Sequence, residues 1–192
     1  MSSAETVTPA APPASAERLV HLPLALFAAP MGIGGIGLAW REAARHLGAP
    51  AFIGEVLIAL ACALWVLLVA LHVTRALRHP GALAADLSHP VRSAFAGAGS
   101  IGLMIGGLTP YAFEVAGWIW LVAVALHVGI GAWMVRGLLI SPRESTALSP
   151  PLLIPLVGNV LAPAFGAGLG YETLGWVLFG LGALLWVLVQ PL

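Results

Sequence analysis

Uncharged or nearly uncharged runs of about twenty residues recur along this chain, and they leave it few ways to fold. Crossing about 30 Å of hydrocarbon takes roughly 20 apolar residues at 1.5 Å each. With no water in the bilayer core, the backbone polar groups of each crossing must bond within the segment, which selects helices. Runs near 21–39, 52–74, 93–112, 116–139, 151–169 and 173–190 therefore predict six transmembrane α-helices. Most connectors are short, so neighbours should be antiparallel, giving an all-α integral membrane protein of three helical hairpins. A soluble domain needs roughly a quarter charged residues. These 192 residues are 8% charged and 60% hydrophobic, and 21–192 is read as one transmembrane domain.

Residues 1–20 are expected to be a disordered tail. The stretch from Met1 to Arg18 is rich in Ala, Pro, Ser and Thr and has no aromatic residue, so it buries too little apolar area to offset chain entropy. It does not resemble a secretory signal, because the apolar run after Arg18 is long enough to span. Between the second and third runs lies Arg75 to Arg92, with His79-Pro80-Gly81 and His89-Pro90, read as a loop with a short interfacial turn. Arg18, Arg75, Arg78, Arg92, Arg136 and Arg143 fall on one side of the spans and only Arg41 and Arg45 on the other. The basic side is retained in the cytoplasm, so both termini are expected there, in the cell (inner) membrane. Gln190-Pro191-Leu192 supplies no basic anchor after the sixth run.

The odd and even runs differ in composition. Pro30, Gly32, Gly34, Gly35 and Gly37 lie in the first, Gly97, Gly99, Gly102, Gly106, Gly107 and Pro110 in the third, and Pro155, Gly158, Pro163, Gly166 and Gly168 in the fifth. Small residues let helix backbones approach, and interior prolines free backbone carbonyls that need protein or water around them. The even runs carry Trp65, Trp118, Trp120, Trp133, Trp176 and Trp186, suited to a lipid-facing surface. The alternation predicts inner odd helices and outer even ones. A weak repeat accompanies it: Trp65 to Val73 reads WVLLVALHV, and Trp120 to Val128 reads WLVAVALHV.

His72 and His127 hold equivalent places in that repeat. Ionisable side chains within a membrane are functional candidates, here for a proton relay, with an inter-helix hydrogen bond by neutral imidazole as the alternative. One His per helix gives no paired metal ligands, and His79 and His89 flank prolines in a loop, so no metal or other cofactor is expected. Glu55 and Glu114 read as interfacial charges near helix ends. Asn159, bracketed by Pro155 and Pro163, either faces a pore or caps broken backbone. The odd runs carry no Asp, Glu, Lys or Arg between their ends, and a pathway without fixed charge favours conduction over tight binding. The candidates for a pore face are Pro30, Gly34, Gly99, Gly102, Pro155, Asn159 and Pro163. Balanced charge argues against nucleic acid, and no convergent nucleophile, base and orienting group suggests an enzyme. Cys62 stands alone, so no intrachain disulfide is available.

Three segments carry a family resemblance: Gly37-Leu38-Ala39-Trp40-Arg41, His89-Pro90-Val91-Arg92-Ser93-Ala94-Phe95 and Ile154-Pro155-Leu156-Val157-Gly158-Asn159. From about Leu22 onward the chain resembles the tellurite-resistance/dicarboxylate transporter family, which includes plant guard-cell slow anion channels. The resemblance implies ten helices in five hairpins about a pseudo-fivefold axis, with kinked odd helices lining an anion pore. It also implies cytoplasmic termini and, for bacterial members, trimers. On this reading the chain corresponds to the first six of ten helices. The family's gating phenylalanine belongs to the ninth, so that role does not transfer to Phe27, Phe95 or Phe165. The expected function is movement of small anions as part of a channel. The alternatives are a proton-coupled carrier for dicarboxylate, sulfite or tellurite-related oxyanions using His72 or His127, and a fragment or assembly subunit that transports nothing.

Overall fold

A computed structural model describes residues 19–89, 91–106, 114–140 and 150–190 of the chain. The expected disordered tail lies almost entirely outside them, as do Gly107 and Pro110 of the third run and Arg143. The described residues form helices throughout, numbered here by the runs to which they correspond. Five are long and apolar enough to cross a membrane: Leu24–Leu47 (first), Ala51–Arg78 (second), Ala116–Ile140 (fourth), Pro150–Leu169 (fifth) and Glu172–Val189 (sixth). The third is described over Arg92–Phe95 and Ala96–Gly106, and the rest of its expected length lies outside the described residues.

The even helices are uninterrupted α-helix. None has a proline after its first residue, so every backbone N–H in their interiors can reach its carbonyl. Each odd helix instead opens with a 3-10 turn, at Leu24–Phe27, Arg92–Phe95 and Pro150–Leu152. The fifth alternates further: α at Leu153–Val157, 3-10 at Gly158–Leu161, α at Ala162–Gly166 and 3-10 at Ala167–Leu169. Pro155 and Pro163 cannot donate backward, and the tighter turns redistribute the bonds they break.

Two helix ends differ from the expected boundaries. The first helix runs on past Trp40 to Leu47, and within the added turns Arg45 pairs with Glu42 at 2.6 Å, a small local support. It stops at Gly48, and the fifth helix stops at Gly170, both left-handed with φ 71° and 84°. A side chain would strain either turn, so glycine sets where the first helix hands over to the second and the fifth to the sixth. The Arg75 to Arg92 segment is less of a loop than expected. The second helix continues to Arg78, and Pro80 then starts a nine-residue helix to Ser88.

Neighbouring helices pair antiparallel. Trp40 donates to the Pro50 carbonyl at 2.9 Å, while Gly37 lies against Gly54 and Ile58. Ser93 meets Met134 and Ser100 meets His127, while Gly175 packs on Pro163 and Gly182 on Val160. The third helix packs against the first, second, fourth and fifth, whereas the sixth packs on the fifth. The principal core follows that geometry and joins Ile58, Met104, Ile105, Trp120, Phe165 and Leu178.

The tryptophans divide in a way composition did not separate. Trp118, Trp133, Trp176 and Trp186 are exposed, as expected of lipid-facing side chains. Trp65 and Trp120 are not. Trp120 is fully buried against Gly166 and stacks on Tyr171 at 5.2 Å, and Trp65 packs on Gly102 and donates its indole N–H to the Gly99 carbonyl at 2.7 Å. The repeat thus has a mechanical meaning: each copy sets a tryptophan of an even helix over a glycine of the next odd helix. Indole can lie there only because no Cβ stands in the way.

Candidate functional site

The odd helices touch one another through their smallest residues. Gly34 of the first faces Ile105 of the third, and a Cβ on Gly97 would stand 3.0 Å from the backbone of Pro155. Gly131 of the fourth lies close under the Pro155 carbonyl, where a Cβ would be 2.8 Å away. Pro155, which lacks an N–H, therefore packs between two glycines on different helices. Pro30 is buried, Gly102 lies beneath Trp65, and Pro163 lies beside Gly175. Of the expected pore-face residues, Gly99 is only half-buried, with Phe27 3.8 Å from where its Cβ would be.

A second set of residues is polar and enclosed. The Ser100 hydroxyl donates to the Gly97 carbonyl at 2.8 Å, and its oxygen lies 2.8 Å from His127 Nδ1. With its one proton committed to that carbonyl, Ser100 accepts from the imidazole, which assigns the His127 proton to Nδ1. His127 Nε2 then faces Gly158 of the fifth helix, where a Cβ would come within 2.5 Å, and among the described residues it has no hydrogen-bond partner. Asn159, which follows Gly158, is also buried, and its amide oxygen has no partner among the described residues. It borders a groove whose walls come from the fourth and sixth helices, including Gly131, Arg136 and Leu181. Three helices therefore meet at Ser100, His127 and Gly158.

The equivalence of His72 and His127 in the repeat does not extend to their surroundings. His72 Nδ1 lies 2.9 Å from the Leu68 carbonyl one turn back, with its ring 5.0 Å from that of Phe27. His127 instead bonds across helices. The two share no partner among the described residues, and the structure does not bring them together as a relay.

Charge is confined to the helix ends. Asp86 of the short connecting helix is buried and receives Arg75 at 2.6 Å and Arg92 at 2.8 Å. Arg75 also donates to the Val20 carbonyl at 2.9 Å. This network ties the second helix, the connecting helix and the start of the third into one end. Single removal of a buried partner strands the other charge. Beside it, His89 Nδ1 accepts from the N–H groups of Val91 and Arg92, a cap on the third helix. At the opposite end Arg41 grips Glu55 through two bonds of 2.6 Å. Sequence reasoning missed Ser100 and Asp86. The available signals were that each is isolated in kind, one hydroxyl within the otherwise apolar Ala96–Gly106 stretch of the third helix and one acid among three arginines.

The first and fifth helices also keep one exposed face. On the first, Ala25, Ala29, Gly32, Ile36 and Ala39 are exposed at helical spacing, and on the fifth Leu161, Ala164 and Gly168 continue such a line. On the third the corresponding stripe, Gly99 and Gly106, is half-buried. Small, uncharged side chains dominate these faces.

The sequence profile of the voltage-dependent anion channel family matches residues 21–192. The chain belongs to that family. The tellurite resistance protein TehA homolog of Haemophilus influenzae is 27% identical over 179 residues, an alignment covering 88% of this chain and 53% of that relative. The chain thus spans about half the length of the curated relative that it matches. Family membership and five long apolar helices agree on a multi-pass helical membrane protein.

Proposed function

We propose that the chain contributes the first, third and fifth lining helices of a pathway for small anions. The observation that carries this reading is the open, uncharged stripe of small residues on the first and fifth broken helices, Gly32 and Gly168 among them, with Gly99 as its half-buried counterpart on the third. A pathway walled by such residues has room for an ion and holds no fixed charge to trap it. Selection for anions then falls to backbone dipoles where the helices break and to arginines at the ends. On this reading the pore face is the exposed stripe. Of the expected candidates Gly99 belongs to it, while Pro30, Gly34, Gly102, Pro155, Asn159 and Pro163 set how closely the lining helices pack. The Arg75 end is the cytoplasmic one by the positive-inside rule.

The test is chloride efflux from liposomes carrying the full chain under a potassium-set potential. A conductive pathway gives efflux that follows the potential. Efflux that instead requires a pH gradient and vanishes in His127→Ala would move the reading to a proton-coupled carrier.

A further inference from the structure

The groove bordered by Asn159 is unlike the open faces of the odd helices. It lies between the fourth and sixth helices, has a volume of about 490 Å³, and is walled by Val128, Ala132, Val135, Leu181 and Leu185, with Arg136 as the one charged residue lining it among the described residues. We propose that this groove is a phospholipid site, taking one acyl chain between the two helices and the lipid phosphate on Arg136.

Depth and charge support that occupant. The fourth helix begins at Ala116, so Arg136 stands about 30 Å along its axis, at the opposite edge of the hydrocarbon and one turn before the helix ends at Ile140. Val128 lies two turns deeper, about 12 Å below Arg136, so the apolar walls run from headgroup level into the acyl region. Arg136 is exposed and has no ion-pair partner among the described residues. A guanidinium at that level pairs well with a phosphate, which it can grip through two N–H groups. Gly131 also borders the groove, where its missing side chain lets the Pro155 carbonyl of the fifth helix approach the fourth. The proposal requires only that the fourth helix spans a bilayer, and it stands apart from the transport reading.

Native mass spectrometry of the full chain in detergent, titrated with phosphatidylglycerol or phosphatidylcholine of the same acyl composition, tests it. One retained lipid per chain is expected, with phosphatidylglycerol favoured about fivefold, in line with one basic residue acting on an anionic headgroup. Arg136→Gln should abolish that preference and weaken retention of both lipids, since both carry the phosphate that Arg136 holds. Ala132→Trp, at an exposed position on the groove wall, should displace both lipids without lowering the melting temperature; Val135→Trp replaces it should that variant fail to fold. The proposal is overturned if wild type retains no lipid, if Arg136→Gln keeps the preference, or if the tryptophan variant still holds lipid. A chain dimer that Ala132→Trp dissociates would also overturn it, because a second copy would then be the occupant.

Discussion

The odd and even helices have the same length scale and the same apolar character, yet one set is broken and the other continuous. The second, fourth and sixth helices contain no interior proline and run as single α-helices. The first, third and fifth start in 3-10 turns, and the fifth changes geometry three more times. A broken helix is expensive in lipid because freed carbonyls find no water there. The continuous helices supply the enclosure, laying Trp65 and Trp120 over glycines of the broken ones. The difference is a division of labour: regular helices brace, and irregular ones expose a narrow face of small residues.

The sharpest way to break that contrast is to fill a glycine on each kind of face. Gly166→Val puts a branched side chain into the buried ring of Trp120, where overpacking costs about 1–3 kcal/mol, and its melting temperature in detergent should fall steeply. Gly168→Val, with no atom within 4 Å of its Cβ, should melt within about 1 °C of wild type. Next in size is truncation of the bracing side chain. Trp120→Ala leaves a cavity between the fourth and fifth helices and should lose about 2 kcal/mol, read by denaturant titration in mixed micelles. Trp118→Ala, on a residue 71% exposed, should change the same titration by less than about 0.5 kcal/mol.

The smallest expected effect separates the two histidines of the repeat. His127→Ala removes an inter-helix hydrogen bond and should lower stability by about 1 kcal/mol. His72→Ala removes a bond to its own helix and a ring contact with Phe27 but no inter-helix hydrogen bond, and the shift should be under half as large. Equal losses would mean that the repeat governs both sites alike.

Much of the fold was legible because proline and glycine act locally. Pro155 and Pro163 mark a broken helix wherever they fall, and Gly170 follows the expected end of the fifth helix, whereas the first helix runs on to Gly48, past its expected end. The direction of Trp65 and Trp120 was not legible. Tryptophan suits both a lipid interface and a glycine-lined contact, and only the register between helices decides which. Register also hid the bond from Ser100 to His127, which joins residues far apart in sequence. The expected pore face rested on small and kinked residues, and the same property serves close packing. Gly34 and Gly102 are filled by Ile105 and Trp65, while Gly32 and Gly168, outside the expected pore face, are open. The Arg75, Asp86 and Arg92 network could not be read from a segment taken for a loop.

Chloride efflux from liposomes carrying the full chain, compared between wild type, Gly32→Leu and Trp118→Ala at matched protein density, tests the central claim most directly. Efflux is predicted to fall at least about tenfold in Gly32→Leu, whose melting temperature stays at the wild-type value because nothing lies within 4 Å of the new Cβ, and to be unchanged in Trp118→Ala. Wild-type efflux with Gly32→Leu, or none from wild type, would contradict a pathway along the open face of the broken helices.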